Sequence, residues 1–278
     1  MSTRCLSPFY KKDDDTPLPC GSCPNCQARR TSQWSYRLMM EAKELPSLFL
    51  TLTYSNDFFL RRSENVSIAE YNRYSILTKN GFLTLRKNAI PLFMKRLRKA
   101  SRVKLKYYCV GEYGGKTRRP HYHVLLFGLA LNSRTIELIE NAWSVEGISL
   151  GQVHYGEVNG ASVGYTLKYM CKPWQMIHAR DDRQEQFALM SKGLGSNYLT
   201  APAIRYHRVN LDNYFLTLVD GKKVSMPRYY YERIYTHDEL LGIKQNALLR
   251  EDLINEHERL QKFLVQTSKF RNYERDTF

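Results

Sequence analysis

The clearest periodic run in the chain is SLFLTLTYS, in which Leu48, Leu50, Leu52 and Tyr54 alternate with Phe49, Thr51 and Thr53, the period-2 pattern of a half-buried strand. KLKYYCVGEYGGKTRRPHYHVLLFGLAL predicts two further strands joined by a Gly-rich basic loop, Tyr113 to Pro120, and GISLGQVHYGEV a shorter one. Helical spacing predicts a helix from about Gln27 to Leu45, with Trp34, Leu38, Ala42 and Leu45 on one stripe and Pro46 as its stop. A second runs from about Asn88 to Ala100, with Ile90, Phe93, Met94 and Leu97 in phase and Pro91 in the first turn. SRTIELIENAWS places Ile136, Ile139 and Trp143 in phase behind a cap at Ser133 or Asn132, and SVGYTLKYMCK is a short helix with Ser162 as candidate cap and Pro173 as stop. Met1 to about Asn25 has no hydrophobic period and reads as a loop ordered by something other than a core, while Asn56 to Gly81 reads as a polar excursion with little sheet. After about Thr200 a Tyr-rich basic stretch, MPRYYYERIY, leads into a long polar helix opened by the capping box Thr236 to Glu239. The order β-α-β-β-α-β-α predicts an α+β fold: a central antiparallel sheet with flanking helices and a helical C-terminal tail. Three regions follow: a Cys-rich segment over residues 1–30, the main domain over 31–200 and a basic, helical region over 201–278.

With 278 residues, 43% of them hydrophobic, the chain can bury a core without disulfide staples. Forty-two Lys and Arg against 27 Asp and Glu give a net charge of +15, so a polyanionic partner is expected. The start MSTRCLSPFYKKDDD lacks an apolar secretory core, and no run approaches the roughly 20 apolar residues of a spanning helix. Neither secretion nor membrane insertion is expected, and in a reducing compartment the six cysteines read as metal ligands or core residues before disulfides. Nine Lys and Arg lie between Thr84 and Lys106 with no acid among them. Lys95, Arg96, Arg98 and Lys99 on this stretch, with Arg118 and Arg119 in the hairpin loop, are candidate contacts to DNA phosphates flanking the chemistry, against the plainer alternative of a solvated helix face. Twenty tyrosines suit base stacking, although aromatic side chains also build cores.

Residues i and i+2 of a strand share a face, so His121 and His123 stand side by side, and pairing across the loop brings Glu112 over them. Two imidazoles and a carboxylate suit a catalytic cation with open positions, Mg²⁺ or Mn²⁺. Tyr165 and Tyr169 are one helical turn apart, and Lys168 and Lys172 each follow a tyrosine by three residues, placed to favour a phenolate or steady a phosphate. Cys20, Cys23 and Cys26 have C-x2-C-x2-C spacing; with Cys5 they suit a structural Zn²⁺ site, free thiols being the alternative. Cys109 and Cys171 read as core residues.

FLTLTY, RPHYH and YTLKYMCK together resemble the three motifs of HUH endonucleases. CGSCPNC, the GEYG before RPHYH, the spaced Trp143, Gly147 and Gly151, and MSKGLGSNYL extend the resemblance, over about Cys20 to Leu199, to replication initiators of small single-stranded DNA phages, the Microviridae of the gokushovirus type. The resemblance implies an RRM-like or palm-like HUH sheet, His121, His123 and Glu112 as metal ligands, and Tyr165 and Tyr169 as paired nucleophiles. The implied reaction is nicking and rejoining of single-stranded or supercoiled origin DNA through a 5′-phosphotyrosine, initiating and terminating rolling-circle replication. Host helicase and polymerase are the implied partners, and the cytoplasm of the bacterial host the implied location. Two other readings compete: an HUH transposase or relaxase, which keeps the site but changes the substrate, and a zinc-bearing nucleic-acid binding protein without catalysis.

Overall fold

The computed structural model describes residues 5–11, 14–55, 76–171, 178–218, 221, 223–252, 261 and 264–265. Along the chain these form β1 (Phe9–Lys11), β2 (Asp14–Leu18), α1 (Pro24–Glu44), β3 (Ser47–Thr53), α2 (Ala89–Ser101), β4 (Lys106–Tyr113), β5 (Pro120–Phe127), α3 (Ser133–Ala142), β6 (Ser144–Val145), β7 (Ile148–Ser149), β8 (Val153–Glu157), α4 (Gly160–Cys171), β9 (Phe187–Met190), α5 (Ala201–Val209), β10 (Phe215–Thr217), β11 (Lys223–Ser225), α6 (Arg228–Ile234) and α7 (His237–Asp252). The fold is α+β. Its main sheet has five strands in the order β8-β3-β5-β4-β9, every neighbouring pair antiparallel. Two compact units divide the chain, Trp34–Asn197 and the combination of Met1–Gln33 with Tyr198–Phe278, with α1 running from one into the other. Among the described residues no helix is long and apolar enough to cross a membrane.

In the Trp34–Asn197 unit the central strand β5 is covered on both faces, which the period-2 rule turns into two separate cores. Tyr122, Val124 and Leu126 point to one side with Leu48, Leu50 and Leu52, where Ile90, Phe93, Met94 and Leu97 of α2 and Ile139 of α3 cover them. Leu125 and Phe127 point to the other with Tyr108 and Val110, under Leu38 of α1 and Val163 and Leu167 of α4. Tyr122 is fully buried and satisfies its hydroxyl with Tyr54 Oη at 2.8 Å, the Arg86 amide at 2.8 Å and the Arg86 carbonyl at 3.0 Å. The phenol between the two histidines therefore ties the start of the basic segment to the sheet.

Several local expectations need correction. The segment before Asn25 is not all loop, because β1 and β2 pair within it, and α1 begins at Pro24, three residues before the expected start. The single strand expected over GISLGQVHYGEV is two, β7 and β8, broken at Leu150–Gln152 where Gly151 packs against the β3 backbone. Ser162 does not cap α4; Asn159 does, its Oδ1 accepting from the Ser162 amide at 2.9 Å while Ser162 Oγ accepts from the Asn159 amide at 2.9 Å. Strand β9, not anticipated, closes the β4 edge. Asn132 caps α3 through Thr135 at 2.8 Å, and Thr236 and Glu239 form the expected reciprocal box, each side chain accepting from the other's amide. Most of the Asn56–Gly81 excursion, the Cys171 side chain and the stop at Pro173 lie outside the described residues.

In the other unit α6 packs with Tyr230 and Ile234 buried, beside Leu216, Met226 and Ile243. His207 is fully buried there. Its Nδ1 donates to the Asn213 carbonyl at 2.5 Å and its Nε2 accepts from Tyr198 Oη at 2.7 Å, so a neutral imidazole is satisfied at both nitrogens.

Candidate active site

Antiparallel register between β4 and β5 sets Glu112 directly opposite His121 and Val110 opposite His123. Glu112 Oε1 lies 2.5 Å from His121 Nε2 and 3.0 Å from His123 Nε2. Glu112 and His123 are buried, and His121 is partly exposed toward the hairpin loop. Burial alone would raise the Glu112 carboxyl, but the hydrogen bonds and charges of the two histidines outweigh it and hold the group below the ordinary carboxylate value. The outer nitrogens are committed too: His121 Nδ1 donates to the Arg119 carbonyl at 3.1 Å, and His123 Nδ1 meets Thr51 Oγ1 at 3.0 Å. That leaves the two Nε2 atoms and Oε1 to converge, within 4.8 Å of one another, on one potential ion site. Orientation of each imidazole from its far nitrogen is the arrangement metal-binding histidines use, so this donor set fits a divalent cation.

Helix α4 brings both tyrosines to this point. Tyr165 meets the His123 ring edge-on at a centroid distance of 5.0 Å, Tyr169 lies nearly parallel to the same ring at 5.7 Å, and the two phenols meet each other at 5.0 Å. Phe49 stacks on His123 at 5.5 Å and meets Tyr165 edge-on at 6.4 Å. Tyr165 is 44% exposed. Tyr169 is half-buried, and burial first, then its hydrogen bond with Tyr165 and the charge of Glu112, push its phenol well above the usual tyrosine range. Lys168 is exposed on the same helix; Lys172 lies outside the described residues.

Thr51 and Phe49 were not among the sequence candidates. The signal was present, because both occupy the non-leucine face of the β3 alternation, and pairing of Thr51 with His123 places that face at the site.

The basic residues divide differently from expectation. Helix α2 packs on the Tyr122 side of the sheet, opposite the histidines and tyrosines, so the acid-free stretch does not flank them. Amphipathic spacing specifies a buried face but not which side of a sheet it covers. Lys95 and Lys99 are exposed on α2. Arg96 Nε donates to the Ala142 carbonyl at 2.8 Å and Arg98 Nη2 to the Leu105 carbonyl at 3.0 Å, so both serve the packing of their own layer. Of the six, only the loop pair is near the ligands: Arg119 supplies the carbonyl that orients His121, and Arg118 precedes it in a left-handed conformation. In MSKGLGSNYL the Gly195 amide donates at 2.7 Å to buried Glu41, which also pairs with Lys106 at 2.7 Å, a structural use of that motif.

In the other unit the four cysteine sulfurs of Cys5, Cys20, Cys23 and Cys26 lie within 4.8 Å of one another. Cys5 and Cys23 are 3.9 Å apart, far longer than a disulfide and close to the edge of about 3.8 Å that a zinc tetrahedron with ~2.3 Å Zn–S bonds requires. Backbone amides point at the sulfurs: Cys20 N to Cys5 at 3.2 Å, Cys23 N to Cys20 at 3.3 Å and Leu6 N to Cys23 at 3.4 Å. The Cys23 amide is the main reason the Cys20 thiol is lowered to about 6, whereas burial pushes Cys26 up to about 12. Cys109 is a buried core residue in β4.

Residues 47–173 match the model of a family described as replication-associated protein ORF2. The chain is 28% identical to the replication-associated protein ORF2 of Spiroplasma virus 4 over 78% of its own length and 67% of the relative's. It is 25% identical to replication-associated protein VP4 of Bdellovibrio phage phiMH2K, over 77% and 66%, and 24% identical to replication-associated protein ORF4 of Chlamydia phage 1, over 92% and 64%. The chain thus spans about two thirds of the length of these relatives. No solved structure matches it. The stretch that carries β3, Glu112, the two histidines and both tyrosines is the stretch that matches, and residues 47–173 carry the signature of the replication-associated protein ORF2 family.

Proposed function

We propose that this protein nicks and rejoins DNA at a phage origin by tyrosine transesterification, initiating and terminating rolling-circle replication in the cytoplasm of the host bacterium. The observation that carries this reading is the packing of both Tyr165 and Tyr169 on His123, the histidine that shares Glu112 Oε1 with His121.

A phenol Oη attacks the scissile phosphorus, an O–P bond forms, and the P–O3′ bond breaks. The 3′ oxygen leaves as a hydroxyl after gaining a proton, the phenol loses one, and the 5′ phosphate stays on the tyrosine. The phosphotyrosyl ester keeps the diester's energy, so the 3′-hydroxyl can reverse the attack without ATP. Two tyrosines allow one to hold the first 5′ end while the other opens the next junction. Mg²⁺ or Mn²⁺ held by His121, His123 and Glu112 would supply charge to polarise the phosphate and orient it. Thr51 and the Arg119 carbonyl fix the imidazoles, Phe49 and His123 hold the phenols, and exposed Lys168 is placed to steady a phosphate oxygen. Lys95, Lys99, Arg118 and Arg119 contribute to holding DNA, while host helicase and polymerase separate and extend the strands. The Cys5, Cys20, Cys23 and Cys26 cluster binds a structural Zn²⁺ that orders the N-terminal segment.

Labelled single-stranded origin oligonucleotide incubated with Mg²⁺ or Mn²⁺ and resolved on a denaturing gel tests the reaction. A covalent adduct lost when both Tyr165 and Tyr169 become Phe is expected. DNA binding without an adduct, across metals and origin sequences, would overturn catalysis and leave a binding protein.

A further inference from the structure

The cations between Thr84 and Lys106 do not surround the tyrosines, so their clustering needs another account. The C-terminal part of that segment meets the end of β9 at the far end of the sheet. There Arg98, Lys104 and Lys106 converge with Lys192 on a groove of about 510 Å³ whose lining, among the described residues, contains no carboxylate. Glu41 offsets Lys106, so the groove's net positive charge comes from Arg98, Lys104 and Lys192, all three exposed. The walls are fixed: the Tyr107 amide donates to Ser191 Oγ at 3.0 Å, and the Ser191 amide to the Tyr107 carbonyl at 2.9 Å. Arg98 is anchored by its bond to the Leu105 carbonyl and lies 5.7 Å from the Tyr107 ring. Cations mounted on hydrogen-bonded strand ends, without acids between them, suit a regularly spaced polyanion.

We propose that this groove holds the phosphodiester backbone of the same DNA away from the cleaved bond, a second contact distinct from the histidine and tyrosine cluster. The proposal rests on the DNA-nicking reading above. Six residues of β4 separate Lys106 from Glu112, about 20 Å at ~3.4 Å per residue. Duplex DNA presents a phosphate on each strand about every 3.4 Å along its axis, so the groove engages phosphates about six base pairs from the nick. It contributes affinity and orientation without reading sequence.

The test is fluorescence anisotropy of the full chain across a salt series, with the double variant Lys104→Glu, Lys192→Glu and two DNA probes. One probe is a single strand of about eight nucleotides, short enough for one site; the other extends that strand into a duplex arm of about fifteen base pairs, longer than the ~20 Å separation. The variant should bind the long probe at least about tenfold more weakly, with the log–log salt slope reduced by about 2, and bind the short probe within about twofold of the unmodified chain. A control pair with the same charge change, Lys79→Glu with Arg134→Glu, should leave the long-probe preference intact. Unchanged long-probe affinity, or equal weakening of both probes, overturns the proposal. If the reversals unfold the chain, Lys104→Gln with Lys192→Gln applies the same comparison at half the charge change. Because binding is read directly, an unmodified chain that binds but forms no adduct would sink the nicking reading while still scoring the groove.

Discussion

Glu112 and His121 are direct partners across the β4–β5 ladder, with Oε1 2.5 Å from Nε2, and the same oxygen reaches His123 Nε2 at 3.0 Å. One carboxylate oxygen therefore sets the position of both rings, while Thr51 Oγ1 fixes His123 from behind. Thr51→Val keeps the shape and β-propensity of the strand but removes that orienting hydroxyl. Loss of such an orienting partner typically weakens metal affinity by about 10–100-fold. The Mn²⁺ concentration giving half-maximal nicking should rise by that order in Thr51→Val, with full activity recovered at saturating metal; Glu112→Gln should not recover. A Thr51→Val midpoint equal to that of the unmodified chain would remove Thr51 from the site.

The two tyrosines are not equivalent. Tyr165 is 44% exposed and open to an incoming strand, whereas Tyr169 is half-buried with its phenol held protonated by burial, Tyr165 and Glu112. Tyr165→Phe should therefore reduce the first adduct more than Tyr169→Phe does, and the residual adduct on Tyr169 should increase as pH is raised from 7 toward 9. Both single variants should fail to complete the cut-and-rejoin cycle, read as circular product. Equal first-adduct yields from the two variants would argue against an assigned order.

His207 gives the other unit a pH dependence. Burial lowers its pKa, with the hydrogen bond to Asn213 opposing in part. A folded value below the unfolded value of roughly 6.5 means the unfolded chain takes up the proton first. The stability this imidazole contributes is thus fully present above about pH 6.5 and is lost as pH falls through its lower folded value. The melting temperature should decrease between pH 7 and pH 5, and His207→Gln should melt lower at pH 7 but with a flatter profile over that interval. A variant profile as steep as the unmodified chain's would assign the acid sensitivity elsewhere.

What could be read from the sequence depended on whether a pattern was local. The β3 alternation and the hairpin fix, through the pleat alone, that Glu112, His121 and His123 share a face, and helical spacing puts Tyr165 beside Tyr169. Strand β9 was not legible, because four residues without alternation acquire their role only by pairing with Tyr108–Gly111. Nor was the layer of α2: its stripe of Ile90, Phe93, Met94 and Leu97 is the same whichever side of the sheet it covers. Charge was the least reliable guide to use, since Arg96 and Arg98 look like neighbouring phosphate contacts in sequence yet each donates to a backbone carbonyl.

The cysteine cluster predicts one zinc per chain. Cys5 joins from fifteen residues before Cys20, and β1 and β2 lie between them, so closing the site orders a segment that has no hydrophobic period of its own. Elemental analysis of the purified chain should give one equivalent of zinc, and Cys5→Ser should reduce it and increase proteolysis within residues 5–20. Chelator treatment should reproduce that proteolysis pattern. A full zinc equivalent in a variant lacking both Cys20 and Cys23 would place the metal elsewhere.

Gly147 and Gly151 form a matched pair with different costs. A Cβ on Gly147 meets nothing within 4 Å, but its φ of +81° is the left-handed region, so Gly147→Ala should destabilise the fold by about 1 kcal/mol. A Cβ on Gly151 would collide with the Thr53 carbonyl oxygen and lie 2.7 Å from the Ser55 amide nitrogen, both backbone atoms that no side-chain rotation can move. Thr53 also pairs with His121 in the β3–β5 ladder and accepts from Trp143 Nε1 at 3.0 Å, so displacing it disturbs the ligand end of the sheet. Gly151→Ala should therefore cost more, about 3 kcal/mol by the scale of core overpacking, and should lower nicking even at temperatures where the chain remains folded. Urea melts of the two variants side by side check the ranking, and equal costs would show that the approach of Gly151 to β3 is not what the site depends on.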